Sequence, residues 1–199
     1  PLEIIARYDW VILGDWSTDY IDPIRALNPD ILLLTSTNAC ELSFDPDDPA
    51  ANAALQNIPS QWFLTQVGST LSADVNAAQT TLPVAALSIQ DGGKELELFA
   101  PGDTVLLEGE SALVEKVDKI NRTLTVKRGY VRPAAAHKAG ARIAAHISFW
   151  PNSWLLNLST LSPTGVADPA VGAERWADYN ARQGAQLLAD LRWAGILVD

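Results

Sequence analysis

Methionine is absent from the 199 residues, cysteine occurs once, as Cys40, and histidine twice, as His137 and His146. A single thiol excludes an internal disulfide framework and a thiolate-held metal. His137 has no second His or Cys at ligand spacing, so both histidines read as structural hydrogen-bonding residues and no metal is expected. With no methionine, the initiating residue has been removed or lies outside the sequence, and Pro1–Ile5 lacks the basic-then-apolar order of a signal peptide. No apolar run approaches the ~20 residues of a bilayer span. Positive charge is also scarce: 14 Lys and Arg against 24 Asp and Glu leave −10. Phosphate neutralisation needs a basic surface, so nucleic acid is not an expected partner. The segment Gly14-Asp15-Trp16-Ser17-Thr18 has one glycine and an acid where G-x-G-x-x-G would cradle a pyrophosphate. There is no Walker loop, and no cofactor is expected.

What is present fits a globular chain with a sizeable core: 48% of residues are hydrophobic and 19% charged. The charges are unevenly sorted. Residues 69–147 hold nine basic and nine acidic side chains, so the remaining five basic and 15 acidic residues carry the whole −10. All lysines fall inside that segment and all seven tryptophans outside it. This sorting predicts a separate module at 69–147, inserted into a discontinuous domain of 1–68 and 148–199.

The outer part reads as alternating strands and helices. Tyr8–Gly14 and Ile31–Thr35 are continuous apolar runs, as in the covered strands of parallel sheets. Asp22-Pro23 reads as the start of a short helix between them. Trp154–Leu158 gives a third strand, Asp168-Pro169 a cap for a long helix through Leu191, and Gly195–Val198 a fourth strand. The insert shows short strands, Thr81–Val84, Thr104–Glu108, Ala112–Val117 and Thr123–Lys127, at antiparallel spacing. Alternating β and α elements imply βαβ units, hence a doubly wound sheet or a (β/α)8 barrel.

In both architectures ligands meet the carboxyl ends of the strands. Those ends carry Asp15 and Trp16, Asn38, Asn157 and Asp199. Two carboxylates, two amides and a flat ring form the lining expected of a sugar site, where hydroxyls need acceptors and the apolar sugar face a ring. Trp150, beside the insert boundary, is a second candidate stacking platform. Glu41, Asp45, Asp47 and Asp48 form an acidic stretch that Pro46 and Pro49 interrupt. Its spacing is not that of an EF-hand, so it reads as a solvated loop. Glu110 and Arg128 read as a structural pair.

Four segments resemble a known family. Tyr8–Leu13 with Ile24–Leu34, Pro59-Ser60-Gln61-Trp62-Phe63-Leu64, Trp154–Leu158, and Trp176 through Gly195–Asp199 resemble the N-terminal half of glycoside-hydrolase-like TIM barrels, in the same order. Within the insert, Leu106–Glu110, Leu124–Tyr130 and Ala134–Ala141 resemble a β module of bacteriophage tail and virion-associated proteins. The first resemblance implies an α/β fold: a partial (β/α)8-type parallel barrel of about four βα units carrying an inserted small all-β module. It also implies Asp199 as a catalytic carboxylate, and the strand-end and stacking readings add Asp15, Trp16, Asn38, Trp150 and Asn157 as substrate-binding residues. Hydrolysis needs a second carboxyl across the scissile bond, expected from strands beyond residue 199, so activity is conditional on a completed barrel. The expected function is hydrolysis or binding of extracellular polysaccharide. The alternative is a non-catalytic structural or attachment protein of a virion or cell-surface assembly. Expected partners are polysaccharide and further copies or other chains of such an assembly, and the expected location is extracellular or virion-associated.

Overall fold

The computed structural model describes residues 1–199. The chain opens with helix α1 (Leu2–Ile5), strand β1 (Trp10–Gly14), helix α2 (Ile21–Leu27) and strand β2 (Leu32–Thr37). β1 and β2 pair in parallel, Trp10 opposite Leu32 and Gly14 opposite Ser36. Ile21 and Ile24 of α2 pack with Leu33, Val11 and Leu13, covering one face of this pair. Strand β3 (Glu41–Ser43) and helix α3 (Ala53–Asn57) follow. Asn52 caps α3, its Oδ1 accepting from the amides of Ala54 and Leu55, as a short polar side chain at that position can.

A β body occupies the middle of the chain. Its strands are β4 (Ser69–Thr70), β5 (Thr81–Pro83), β6 (Ser88–Asp91), β7 (Lys94–Glu97), β8 (Thr104–Leu107), β9 (Glu110–Asp118), β10 (Thr123–Lys127) and β11 (Arg142–Ala145). Six of them form one antiparallel sheet in the order β4-β11-β8-β9-β10-β5, and β6 and β7 form a separate hairpin. Period-2 alternation turns Val105, Leu107, Ala112, Val114, Leu124 and Val126 inward, into a cluster of 16 buried residues. A register shift between Thr125 and Val126 marks a bulge, which bends a strand pair and increases its twist. The sheet curls until Leu71 and Val84, just past the edge strands β4 and β5, bridge each other. Closure of this kind leaves little unpaired edge.

The chain ends with β12 (Ser153–Leu155), the hairpin β13 (Gly165–Asp168) and β14 (Gly172–Glu174), helix α4 (Trp176–Leu187) and β15 (Gly195–Val198). β15 lies parallel to β2 on the side away from β1, giving a three-stranded sheet β1-β2-β15. A second cluster joins the regions: Trp62, Trp154 and Trp176 pack with Leu55, Ile58 and with Tyr130 and Val131 of the β body. Arg132 donates to the carbonyls of Leu55 and Ile58, and Trp154 Nε1 donates to Thr104 Oγ1 at 2.7 Å.

This architecture corrects the expected fold class. The protein is mostly β, its largest sheet is antiparallel, and it is not a (β/α)8-type parallel barrel. The physical reason lies in particular elements. The expected third barrel strand forms β12, which pairs antiparallel with β3, Trp154 opposite Leu42. Its Trp154 and Leu156 belong to the tryptophan cluster, whereas Leu33 of β2 sits in a separate five-residue cluster. Asp168-Pro169 caps no helix but turns the β13–β14 hairpin, Asp168 Oδ1 accepting from Ala170 N. The last helix begins only at Trp176, and α2 begins at Ile21, ahead of Asp22-Pro23.

A cleft beside the ends of β2 and β15

Asn38 follows β2 directly and turns the chain. Its Oδ1 accepts from the amides of Cys40 at 2.9 Å and Glu41 at 3.1 Å, an Asx turn that reverses the backbone into β3. The Ala39 amide donates to the Asp199 carbonyl at 2.8 Å, and the Asp199 amide to Thr37 at 3.0 Å, so Asp199 is tied beside Asn38. Leu156 N donates to the Cys40 carbonyl at 2.7 Å, and Trp176 Nε1 to that of Ala39, also at 2.7 Å. The turn is therefore fixed by the tryptophan cluster as well as by the parallel sheet.

Next to this turn lies an open cleft of about 390 Å³. Asn38, Glu41 and Asp199 give it a polar side, and Phe149, Trp150 and three leucines an apolar one. Glu41 is buried. Ser153 Oγ donates to its Oε2 at 2.5 Å and Asn38 Nδ2 to its Oε1 at 3.4 Å. Phe149 and Trp150 are exposed and meet edge to face, with ring centroids 5.4 Å apart, a favoured geometry for two quadrupoles. Two carboxylates and no lysine or arginine line the cleft. Its field favours neutral or cationic ligands that donate hydrogen bonds, and its rings suit a flat apolar surface.

The structure gathers three of the expected site residues here, Asn38, Trp150 and Asp199. Asp15 and Trp16 begin a 3-10 turn after β1, and the intervening β2 separates that end from β15. The Trp16 indole lies over Gly14, where an added Cβ would come within 2.3 Å of the ring. Asn157 spends its Oδ1 locally, accepting from the Ser159 amide at 3.0 Å and the Ser159 hydroxyl at 2.6 Å. Glu41 and Phe149, with Cys40 and the three leucines, line the cleft without having been expected there. Glu41 alternates with the half-buried Leu42, which places it on the polar side of its strand. Its partner there is Ser153, 112 residues away.

Two other polar clusters lie in or beside the β body. Glu110 accepts a bidentate pair from Arg128, Nε at 2.5 Å and Nη2 at 2.6 Å. His137 places its ring nitrogens 3.0 Å from Glu108 and 3.0 Å from Glu110. Burial pushes the Glu110 carboxyl up, but its hydrogen bonds from Arg128, His137 and the Ala135 amide outweigh this and hold it below its ordinary value. Arg128 also donates to the carbonyls of Asn76, Gln79 and Ala135, so the group locks three loops together. His146 stacks on Trp154 at 3.9 Å, and burial lowers its pKa to about 3. No group of three or more His, Cys, Asp or Glu is placed to hold a metal ion.

No protein-family model and no curated protein matches the chain. The resemblances to glycoside-hydrolase-like barrels and to phage β modules are thereby corrected: the barrel that carried the first is absent, and no family match supports either. Glycoside hydrolysis, carbohydrate binding and secretion as features of the chain rested on those resemblances and on the α/β strand-end arrangement, and are corrected with them. No helix is long and apolar enough to cross a membrane.

Proposed function

We propose that the chain is a non-catalytic attachment protein of a cell-surface or virion assembly, holding its target in the cleft of Asn38, Glu41 and Asp199. The observation that carries this reading is the clamping of Glu41. A carboxyl that works as general acid or base must exchange a proton with the reacting bond. Glu41 instead accepts from Ser153 on one oxygen and from Asn38 on the other, which makes it a fixed recognition wall. Asp199 supplies an exposed acceptor, and Trp150 a flat ring at the mouth. The target favoured by this lining is neutral or cationic, rich in donors, and apolar on one face.

Equilibrium binding of neutral, cationic and anionic cell-surface polymers, followed together with their chain length, tests the reading. Neutral or cationic polymers bind without being shortened, and Trp150→Ala and Asp199→Asn each weaken binding about tenfold, as expected when one anchor is truncated. Polymer cleavage that Asp199→Asn abolishes would overturn it, as would binding that survives both substitutions.

A further inference from the structure

The parallel sheet is covered on one face only. Register places Trp10, Ile12, Leu32, Leu34 and Leu197 together: Trp10 pairs with Leu32, Ile12 with Leu34, and Ser36, two residues beyond Leu34, with Leu197. A Cβ added at Gly195 would lie 3.1 Å from Leu34 Cδ2, so Leu34 leans across that strand on this same face. The opposite face holds Leu33 and Thr35, both fully buried, against α2 and Trp193. On the bare face Trp10 is 58% exposed, Leu32 55%, Leu197 43% and Ile12 37%. Trp16, folded over Gly14, extends the patch past the end of β1. Parallel sheets are normally covered by helices on both faces, and a contiguous exposed apolar patch rimmed by polar residues marks an interaction site.

Charge around the patch selects the partner. Asp9 and Asp30 lie at the amino ends of β1 and β2, and Asp15, Asp19 and Asp199 at or just beyond the carboxyl ends of β1 and β15; all five are exposed. Arg7 is the one basic residue within three positions of these strand ends, apart from Arg192, which is engaged by Asp190 and Asp22. A second copy of this chain would bring like charge against like.

We propose that the bare face of the β1-β2-β15 sheet is a docking surface for a basic amphipathic helix of a protein partner. The helix covers the sheet as α2 covers its other side, and its lysines or arginines meet the carboxylates at the strand ends. The apolar patch lies apart from the cleft, which neither Trp10 nor Ile12 lines; of the patch and its charged rim only Asp199 borders both.

The test uses the full chain and a labelled amphipathic peptide of leucine and lysine, about 18 residues or ~27 Å long as a helix, with a leucine–glutamate peptide of the same pattern as control. Fluorescence anisotropy is expected to show saturable binding of the lysine peptide, one per chain, and none of the glutamate peptide. Ile12→Asp and Leu197→Asp add negative charge, which by itself would strengthen attraction to the lysine peptide. Each is nevertheless expected to weaken binding about tenfold through loss of the apolar contact. Leu32→Ser, which adds no charge, does the same, and Trp150→Ala at the cleft leaves binding unchanged. Because the substituted side chains are exposed, circular dichroism and thermal midpoints stay those of the parent chain. Equal binding of both peptides, or of parent and variants, would overturn the proposal. So would concentration-dependent dimerisation of the parent chain that Ile12→Asp abolishes, since a second copy would then be the occupant.

Discussion

The β body and the parallel sheet solve the problem of strand burial in opposite ways. The body closes on itself: its edges meet at Leu71 and Val84, its core holds 16 buried residues, and a buried ion group ties its loops. The parallel sheet has five buried residues in its cluster, two free edges and one bare face. Buried core is therefore concentrated in the middle of the chain and exposed apolar surface at its two ends. The tryptophan cluster between them lets the stable region hold the open one in place.

The largest expected effect that sharpens this contrast is at Glu110. Glu110→Ala leaves Arg128 buried without its partner, a change that costs about 3–5 kcal/mol and lowers the thermal midpoint by about 10 °C. Calorimetry or a denaturant melt reads it directly. A midpoint unchanged from the parent would mean that the ion group does not support the body. Core truncation comes next. Leu107→Ala and Leu33→Ala both fall in the range of about 2–5 kcal/mol, and the cost grows where surroundings cannot collapse into the cavity. Leu107 is expected near the top of that range and Leu33 near the bottom. The reverse order in urea melts would break the contrast.

Acid acts on the β body and its border, where His146 and Glu110 lie, and so narrows the contrast. His146 titrates near 6.5 when unfolded and near 3 when folded. Below pH 6.5 the unfolded chain therefore takes up the proton that the folded one refuses. Stability falls by about 1.4 kcal/mol for each pH unit from 6.5 down to the folded value. Glu110 acts in the same direction lower on the scale: its folded carboxyl lies below the ordinary 4.5, so its contribution is present above 4.5 and disappears as pH drops through the folded value. Melts between pH 7 and 3 are expected to show this slope, and His146→Phe to flatten its upper part. The smallest effect belongs to the exposed pair of Lys119 and Glu97. Lys119→Ala is expected to leave the midpoint within the scatter of repeated melts, since solvent screens such pairs.

Local pattern made part of this legible. The alternation in Thr104–Leu107 and Thr123–Lys127 gives strands where the structure has them, and Gly195–Val198 is a strand in both. Pairing was not legible, because an apolar run such as Trp154–Leu158 serves equally well in a parallel or an antiparallel partner. Its antiparallel contact with Glu41–Ser43 is set by the tryptophan cluster, whose members are scattered from Trp62 to Trp176. Asn38, Trp150 and Asp199 could be named from sequence as strand-end or boundary residues. Glu41 could not, because it is bound by Ser153, far along the chain.

Native-state hydrogen exchange, resolved by strand, tests the central contrast most directly. Amides of β8, β9 and β10 are expected to exchange only through global unfolding, and those of β1 and β15 through local openings at least tenfold faster, a gap of about 1.4 kcal/mol or more. Equal protection of the two sheets, or slower exchange in β1 and β15, would contradict it.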